Sequence, residues 1–219
     1  MKKKSIIAIS IILGILILDQ ILKIWIKTHF TLGQELQIFG DKAKLHFIEN
    51  EGMAYGMKFG GNWGKLALSL FRVLAISFLG YYLFKIIKAG ENIFYIICIS
   101  LVIAGATGNL IDSAFYGLIF SESSYYQVAT LFPPDGGYAP FLHGKVVDML
   151  YCPIIETNYP SWFPFVGGQE FLFFRPVFNV ADSAITISVF LLLIFYKKIF
   201  GKSMFSKTKK NVQKTETQN

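Results

Sequence analysis

The run SIIAISIILGILILDQILKIWIK, residues Ser5–Lys27, is apolar enough and long enough to cross a lipid bilayer as a helix. Hydrophobic residues make up 53% of the 219-residue chain and charged residues only 16%, which is too apolar for an ordinary soluble domain. Three further runs have a similar length and composition: Lys65–Ile87, Asn92–Ile111 and Ala181–Phe200. The sequence therefore predicts a membrane protein whose all-α core has four transmembrane helices.

Lysines accumulate at one side of this helix bundle. They precede the first run, lie in the link between the second and third runs, and follow the fourth. The positive-inside rule therefore places both termini in the cytoplasm, with residues 201–219 as a basic tail. The outer segments, about 28–64 and 112–180, face the other side. We interpret the net charge of +7 as a topology signal and as contact with anionic membrane lipid, not as a nucleic-acid interface.

Residues 1–200 are predicted to form one domain, in which the two outer segments join the helix bundle. Residues Leu36–Phe59 combine short extended stretches with glycines, which predicts a small sheet or hairpin at the outer membrane surface. Residues Ser113–Phe178 contain nearly half of the chain's aromatic residues. Because tyrosine and tryptophan favour the lipid–water interface, we expect much of this segment to lie on the outer leaflet. A small extracellular core is the alternative.

Ionisable side chains within membrane helices are rare and are usually paired or functional. Asp19 and Lys23 are four residues apart on one helix face, which predicts an ion pair that is structural or that positions substrate. Asn109 and Asp112 share a face near the end of the third run. We expect the amide to hold the carboxylate, although Asp112 would also suit a helix end that reaches water.

Two more aspartates lie in the second half of the chain. Asp148 is flanked by Val147 and Met149, and burial there would favour its protonated form. A loop aspartate that faces water is an equal alternative. Asp182 begins the fourth run three residues after Asn179, which suits a helix cap followed by an acid in the first turn. The local sequence does not decide between this structural role of Asp182 and a catalytic one.

Together these positions bring several carboxylates and asparagines to the outer end of one helix bundle. Paired carboxylates that share a proton are the machinery of aspartic proteolysis. The same charges, with Arg72, would also suit a small transporter or channel component, which composition alone favours. A serine–lysine protease using Ser183 with Lys23 or Lys145 is a third alternative. The sequence contains no cofactor fingerprint and no spacing typical of a metal site.

Five short motifs with polar residues occur at defined places relative to the predicted helices. In chain order they are LDQILK (Leu18–Lys23), NEGMAYGM (Asn50–Met57), GATGNLID (Gly105–Asp112), VVDM (Val146–Met149) and FNVADS (Phe178–Ser183). From Ser5 to about Phe200 the chain thereby resembles the lipoprotein signal peptidase family, the bacterial signal peptidase II enzymes. The resemblance implies an aspartic endopeptidase of the cytoplasmic membrane that needs no cofactor. Its substrates would be diacylglyceryl-modified prolipoproteins, cut just before the lipidated cysteine.

The resemblance also implies roles for individual residues. By motif, Asp148 and Asp182 correspond to the catalytic dyad. Six further residues would line or support the site: Asn50, Gly52, Asn109, Asp112, Asn179 and Ala181. Asp19 and Lys23 match the polar pair of the first helix in this family. We expect a monomer.

The chain departs from the family pattern in two places. The family usually has an arginine directly after the GNxxD aspartate, where this chain has Ser113, and Arg175 is a candidate substitute. The stretch between Asp112 and Asp148 is also longer than the resemblance predicts. We interpret residues 117–143 as an insertion that could cover the active site.

Overall fold

A computed structural model describes residues 1–51, 61–153, 155–158, 162, 168, 170–173, 177–196 and 199. Its α-helices are α1 (Lys2–His29), α2 (Gly61–Lys88), α3 (Ile93–Ile111), α4 (Gly117–Ile119) and α5 (Val180–Ile194). Its strands are β1 (Glu35–Gln37), β2 (Lys44–Asn50), β3 (Val146–Tyr151), β4 (Ile155–Asn158), β5 (Glu170–Phe173) and β6 (Val177–Phe178). A 3-10 turn spans Gly40–Lys42, and a π-helical turn, Asp112–Tyr116, joins α3 to α4.

Three helices are long and apolar enough to cross a membrane: Lys2–His29, Trp63–Lys88 and Ile93–Ile119. Three of the four predicted spans are therefore confirmed by length and composition. The fourth predicted span, 181–200, corresponds to α5, an apolar helix that is described over 15 residues. Lys197, Lys198, Phe200 and the basic tail lie outside the described residues, so the fourth span and the cytoplasmic tail stay predictions.

The third span is longer than predicted. An acid after an apolar run indicated a helix end at Ile111, but the helix continues through the π-helical turn to Ile119. The reason is that Asp112 is fully buried and forms an ion pair with Lys23. Because its charge is compensated inside the bundle, it does not need to reach water. The α-helix α3 itself ends at Ile111, and the water-facing alternative for Asp112 was wrong.

The helix bundle is apolar outside and carries polar residues inside, as expected for a protein surrounded by lipid. On α1, Ile9, Leu13 and Ile17 are each more than half exposed, whereas Asp19 and Lys23 are completely buried. One apolar cluster joins α1, α2 and α3. Its members are Ala8, Leu83, Ile86, Ile87, Ile96, Ile99 and Ile103.

Glycines on α3 allow it to approach α1 and α5 closely. A Cβ atom added to Gly105 would lie 2.3 Å from the carbonyl oxygen of Ala181, and one added to Gly108 would lie 2.7 Å from Asp19 Oδ2. Gly105 therefore packs against the backbone of α5, and Gly108 packs against the Asp19 side chain of α1. These contacts bring the start of α5 against the polar part of α1.

The strands form a four-stranded antiparallel sheet in the order β1-β2-β3-β6 and a separate pair, β4-β5. The predicted small sheet of the first outer segment is confirmed by β1 and β2, and β3 from the second outer segment pairs with β2. Ile48 lies opposite Asp148 and Asn50 opposite Val146, with a register irregularity between Leu45 and Ile48. Asn50 and Asp148 are therefore diagonal neighbours on adjacent strands.

The predicted insertion, residues 117–143, folds back onto the end of the bundle. Its backbone is held by hydrogen bonds such as Tyr138 N–H to the Phe120 carbonyl, 3.1 Å. Lys27, near the end of α1, donates to Ser123 Oγ at 2.8 Å and forms an ion pair with Glu49 on β2. The insertion is therefore tied to both α1 and β2. Its suggested role as a cover over the active site stays a prediction.

Candidate active site

Asp148 lies in the middle of β3, where the side chain is only 4% exposed. Its neighbours Val147 and Met149 are completely buried, as the apolar flanks predicted. The Asn50 amide donates to Asp148 Oδ2, and the Asn179 amide donates to Oδ1 at 2.7 Å. Burial raises the pKa of Asp148 to about 8, and the nearby charge of Asp182 adds to the rise. Asp148 is therefore mainly protonated at neutral pH.

Asp182 lies in the first turn of α5, where it is half-buried. Asn179 caps this helix: its Oδ1 accepts from the Asp182 backbone N–H at 2.8 Å. In return, Asp182 Oδ2 accepts from the Asn179 backbone N–H at 3.3 Å, which completes a capping box. The structural role expected for Asp182 is confirmed. The capping contacts also hold its carboxylate in one orientation.

The side chain of Asn179 joins the two aspartates. Its amide nitrogen donates to Asp148, while its oxygen accepts from the backbone of Asp182. The Asn109 amide adds a second link, because its nitrogen donates to Asp182 Oδ1 at 2.8 Å and its oxygen accepts from Asn179 at 3.1 Å. The expectation that this amide holds Asp112 was wrong, because Asp112 is directed toward Lys23.

Lys23 is the cation at the centre of the buried network. Its ammonium group is 2.9 Å from Asp19 Oδ2, 2.7 Å from Asp112 Oδ2 and 2.8 Å from Asn109 Oδ1. The predicted pair of Asp19 and Lys23 is confirmed, and the structure adds Asp112 as a second carboxylate partner. Since an ammonium group has three donors, all of them are satisfied here. Asn109 connects this network directly to Asp182.

The two carboxylates bound to Lys23 also hold backbone groups of other elements. Asp19 Oδ1 accepts from the Ala181 N–H at 2.9 Å, which fixes the start of α5 against α1. Asp112 Oδ2 accepts from the Val147 N–H at 3.3 Å, one residue before Asp148. The network therefore positions the two elements that carry the predicted dyad: the start of α5 with Asp182, and β3 with Asp148.

A second cationic group reaches the site from α2. Lys65, Ser69 and Arg72 are spaced i, i+4 and i+7 and so share one face of this helix. Arg72 Nη1 donates to Ser113 Oγ at 3.2 Å, and Lys65 Nζ donates to the same oxygen at 3.3 Å. Position 113, where the resemblance leads us to expect arginine, thus has a serine that is contacted by two cations from another helix.

Nine of the ten predicted site residues lie in one continuous hydrogen-bond network. Gly52, the tenth, and the suggested substitute Arg175 lie outside the described residues. The sequence-based prediction missed two residues, Gln20 and Lys65. Gln20 donates hydrogen bonds to Asp19 and Asp112. Gln20 could have been found from the LDQILK motif, and Lys65 from the spacing of polar residues on one face of α2. In the described part of the chain, no group of three His, Cys, Asp or Glu side chains is arranged to hold a metal ion.

The chain matches known proteins over most of its length. The family model described as signal peptidase (SPase) II matches residues 11–198. A lipoprotein signal peptidase of Porphyromonas gingivalis is 50% identical over 190 residues, covering 86% of this chain and 82% of that protein. One of Amoebophilus asiaticus is 32% identical over 181 residues, covering 81% and 72%. One of Staphylococcus haemolyticus is 30% identical over 196 residues, covering 89% and 94%.

Two solved structures described as bacterial membrane enzymes have the same fold. One aligns with a TM-score of 0.56 at 24% identity and covers 87% of each chain. The other aligns with a TM-score of 0.55 at 26% identity, covering 85% of this chain and 90% of its own. With the motifs and the buried network of aspartates and asparagines, these matches lead to one conclusion: the chain belongs to the signal peptidase II family of lipoprotein signal peptidases.

Proposed function

We propose that this protein is an aspartic endopeptidase that removes the signal peptide from diacylglyceryl-modified prolipoproteins, just before the lipidated cysteine. The observation that carries the proposal is the link between Asp148 and Asp182 through the side chain of Asn179. One carboxyl group is buried and the other is half-buried at a helix start, so the two aspartates have different environments. Such a difference suits one acid and one base.

In the proposed mechanism, Asp182 is the base and Asp148 the acid. Asp182 takes a proton from water as the water oxygen attacks the scissile carbonyl carbon, and Asp148 donates its proton to the carbonyl oxygen. The tetrahedral intermediate then collapses. The C–N bond breaks, the leaving nitrogen takes the proton from Asp182, and a hydroxyl of the intermediate returns a proton to Asp148. The capping contacts of Asp182 and the amide contacts of Asp148 keep both groups oriented.

The membrane environment supports a lipidated substrate. The exposed apolar side chains of α1 indicate that the bundle contacts lipid, so the diacylglyceryl chains can lie in the bilayer beside the protein. We propose four spans with both termini in the cytoplasm, on the basis of the lysine distribution. The active site then lies near the outer face of the cytoplasmic membrane. We propose a monomer, because one chain supplies both aspartates and their supporting amides.

The contacts favour this mechanism over its alternatives. Ser183 Oγ donates to the carbonyl of Asn179, while Lys23 and Lys145 are engaged with carboxylates. A serine–lysine pair is therefore not assembled. For a transporter, charges would have to continue toward the other end of the bundle, where α1, α2 and α3 instead share an apolar cluster.

The test is cleavage of a synthetic lipidated precursor by the purified full-length protein in detergent, with the cut located by mass spectrometry. The matched control is the same precursor with an unmodified cysteine. The proposal predicts a single cut before the lipidated cysteine and far slower cleavage of the control. Equal cleavage of both precursors would refute the substrate class. Ion flux in protein-containing liposomes without any cleavage would favour the transporter.

A further inference from the structure

The insertion is bonded to the four-stranded sheet at two places that the proposed mechanism does not use. The first is Ser123, whose Oγ donates to Glu49 Oε1 of β2 at 2.9 Å and accepts from Lys27 Nζ at 2.8 Å. The second is Tyr138, whose hydroxyl oxygen accepts from the Lys145 backbone N–H at 2.7 Å. Lys145 directly precedes β3, so the insertion holds both strands that carry site residues.

Both contacts lie near Asp148 along these strands. Glu49 lies opposite Val147, and Asn50 lies opposite Val146, where β3 begins. The Asn50 side chain donates to the carboxyl group of Asp148. A displacement of either strand at this end of the sheet would therefore change how Asn50 meets Asp148, which is the acid of the proposed mechanism.

The insertion packs on the face of the sheet that is opposite to Asp148. Side chains alternate between the two faces along a strand, so Val147 and Met149 face away from Asp148. Both are completely buried in one apolar cluster with Phe47 of β2 and Phe120 of the insertion. This part of the insertion therefore supports the sheet from the side that is turned away from Asp148.

A buried ion pair strengthens the contact between the insertion and the sheet. Lys27 is completely buried and pairs with Glu49. Its ammonium nitrogen lies 5.4 Å from the ring centroid of Phe120 and 5.0 Å from that of Tyr138. Cations within about 6 Å of an aromatic ring centroid are attracted to the ring face. The insertion thus supplies two aromatic rings and a hydroxyl group to a cation of α1 and an acid of β2.

We propose that the insertion is a fixed clamp, in which Ser123 and Tyr138 are positioning residues that hold β2 and β3 so that Asn50 meets Asp148. The clamp orients the proposed acid from behind the sheet, and it does not open and close over the site as a cover would. Such positioning matters because a displacement of about 1 Å can cost about a hundredfold in rate. The inference rests on the proposed function of Asp148.

The experiment measures kcat and KM separately for the lipidated precursor with the full-length protein. The variants are Ser123→Ala and Tyr138→Phe, alone and together, and each removes one hydroxyl group that contacts β2 or the residue before β3. Ser121→Ala and Tyr126→Phe are the matched controls. Ser121 Oγ accepts from the Thr130 N–H at 2.9 Å, a contact within the insertion, and Tyr126 is 92% exposed. Circular dichroism and size-exclusion chromatography identify the folded variants.

The double variant is expected to lose about tenfold in kcat while its KM stays within about twofold of the parent value, because the substrate binds as before and the acid is misplaced. Each single variant should show part of this loss, and both controls should keep the parent values.

Two results would overturn the proposal. A rise in KM as large as the fall in kcat, or larger, would indicate a cover that contacts the substrate. An unchanged kcat in the folded double variant would indicate contacts that only stabilise the protein, because such contacts do not change the rate well below the unfolding temperature. If the double variant does not fold, the two single variants decide by the same criteria.

These results separate the inference from the proposed function. If the parent does not cleave the lipidated precursor, or if folded Asp148→Asn remains fully active, the proposed function itself fails. If the parent and Asp148→Asn behave as proposed and the variants of Ser123 and Tyr138 keep the parent kcat, the role of the insertion alone fails.

Discussion

Replacing Lys23 by methionine tests whether the buried ion network holds the helices together. Methionine keeps the length and apolar stem of lysine but removes the ammonium group. Asp19 and Asp112 then lose the cation that lies 2.9 Å and 2.7 Å away, and neither carboxylate is exposed to solvent. Breaking a buried ion pair by removing one partner typically costs about 3–5 kcal/mol.

The hydrogen bonds that Asp19 and Asp112 retain decide where in that range the loss of stability falls. Gln20 still donates to both carboxylates, and backbone N–H groups of Ala181 and Val147 donate to one each. These donors lower the cost of the unpaired charges. We therefore expect Lys23→Met to lose about 3 kcal/mol of stability, near the lower end of the range.

The assay is thermal unfolding in detergent, followed by intrinsic tryptophan fluorescence. For a chain of this size, a loss of about 3 kcal/mol corresponds to a fall in Tm of about 10 °C. Lys3→Met is the matched control, because Lys3 is an exposed residue of the same helix. Asp112→Asn in the Lys23→Met background should recover part of the loss, since it removes one unpaired charge. A loss under about 1 kcal/mol, or strictly additive effects, would refute the coupling of these residues.

Three further predictions follow from the pKa of Asp148 and from the close contact at Gly105. Activity should fall about tenfold per pH unit above about pH 8, the pKa of Asp148, because the proposed acid then loses its proton; a profile that stays flat to about pH 10 would contradict this. Between about pH 4 and pH 8 the folded state holds this proton more tightly than the unfolded state, so stability should fall as pH rises, and Asp148→Asn should reduce that dependence. Gly105→Ala should destabilise the protein by about 1–3 kcal/mol, because the added Cβ would lie 2.3 Å from the Ala181 carbonyl oxygen. Gly80→Ala on α2, where a Cβ would meet nothing within 4 Å, is its control, and equal Tm values for the two variants would contradict the close packing of α3 on α5.

Hydropathy and local spacing predicted the parts of this protein that depend on short segments. The three long helices, the ion pair of Asp19 with Lys23 and the cap at Asn179 each rest on residues close together in sequence. A helix face or a first turn can be recognised from such spacing alone. These features therefore follow from the amino-acid sequence by itself.

Contacts between distant segments do not follow from local spacing in the same way. Asp112 suits a water-facing helix end by its local sequence, and its buried position depends on Lys23, which comes from a different helix. Asn50 reaches Asp148 through the pairing of β2 with β3, whose register irregularity is not apparent from the sequence. The contact of Arg72 with Ser113 depends on how α2 packs against α3. Each of these contacts is a property of the tertiary structure.

The central claim is that Asp148 and Asp182 act together as the catalytic dyad. The most direct measurement is cleavage of the lipidated precursor by folded Asp148→Asn and Asp182→Asn variants, with Ser183→Ala as the neighbouring control. The account predicts that each aspartate variant loses at least about a hundredfold in kcat/KM, whereas Ser183→Ala keeps most of its activity. Full activity in either folded aspartate variant would contradict the account.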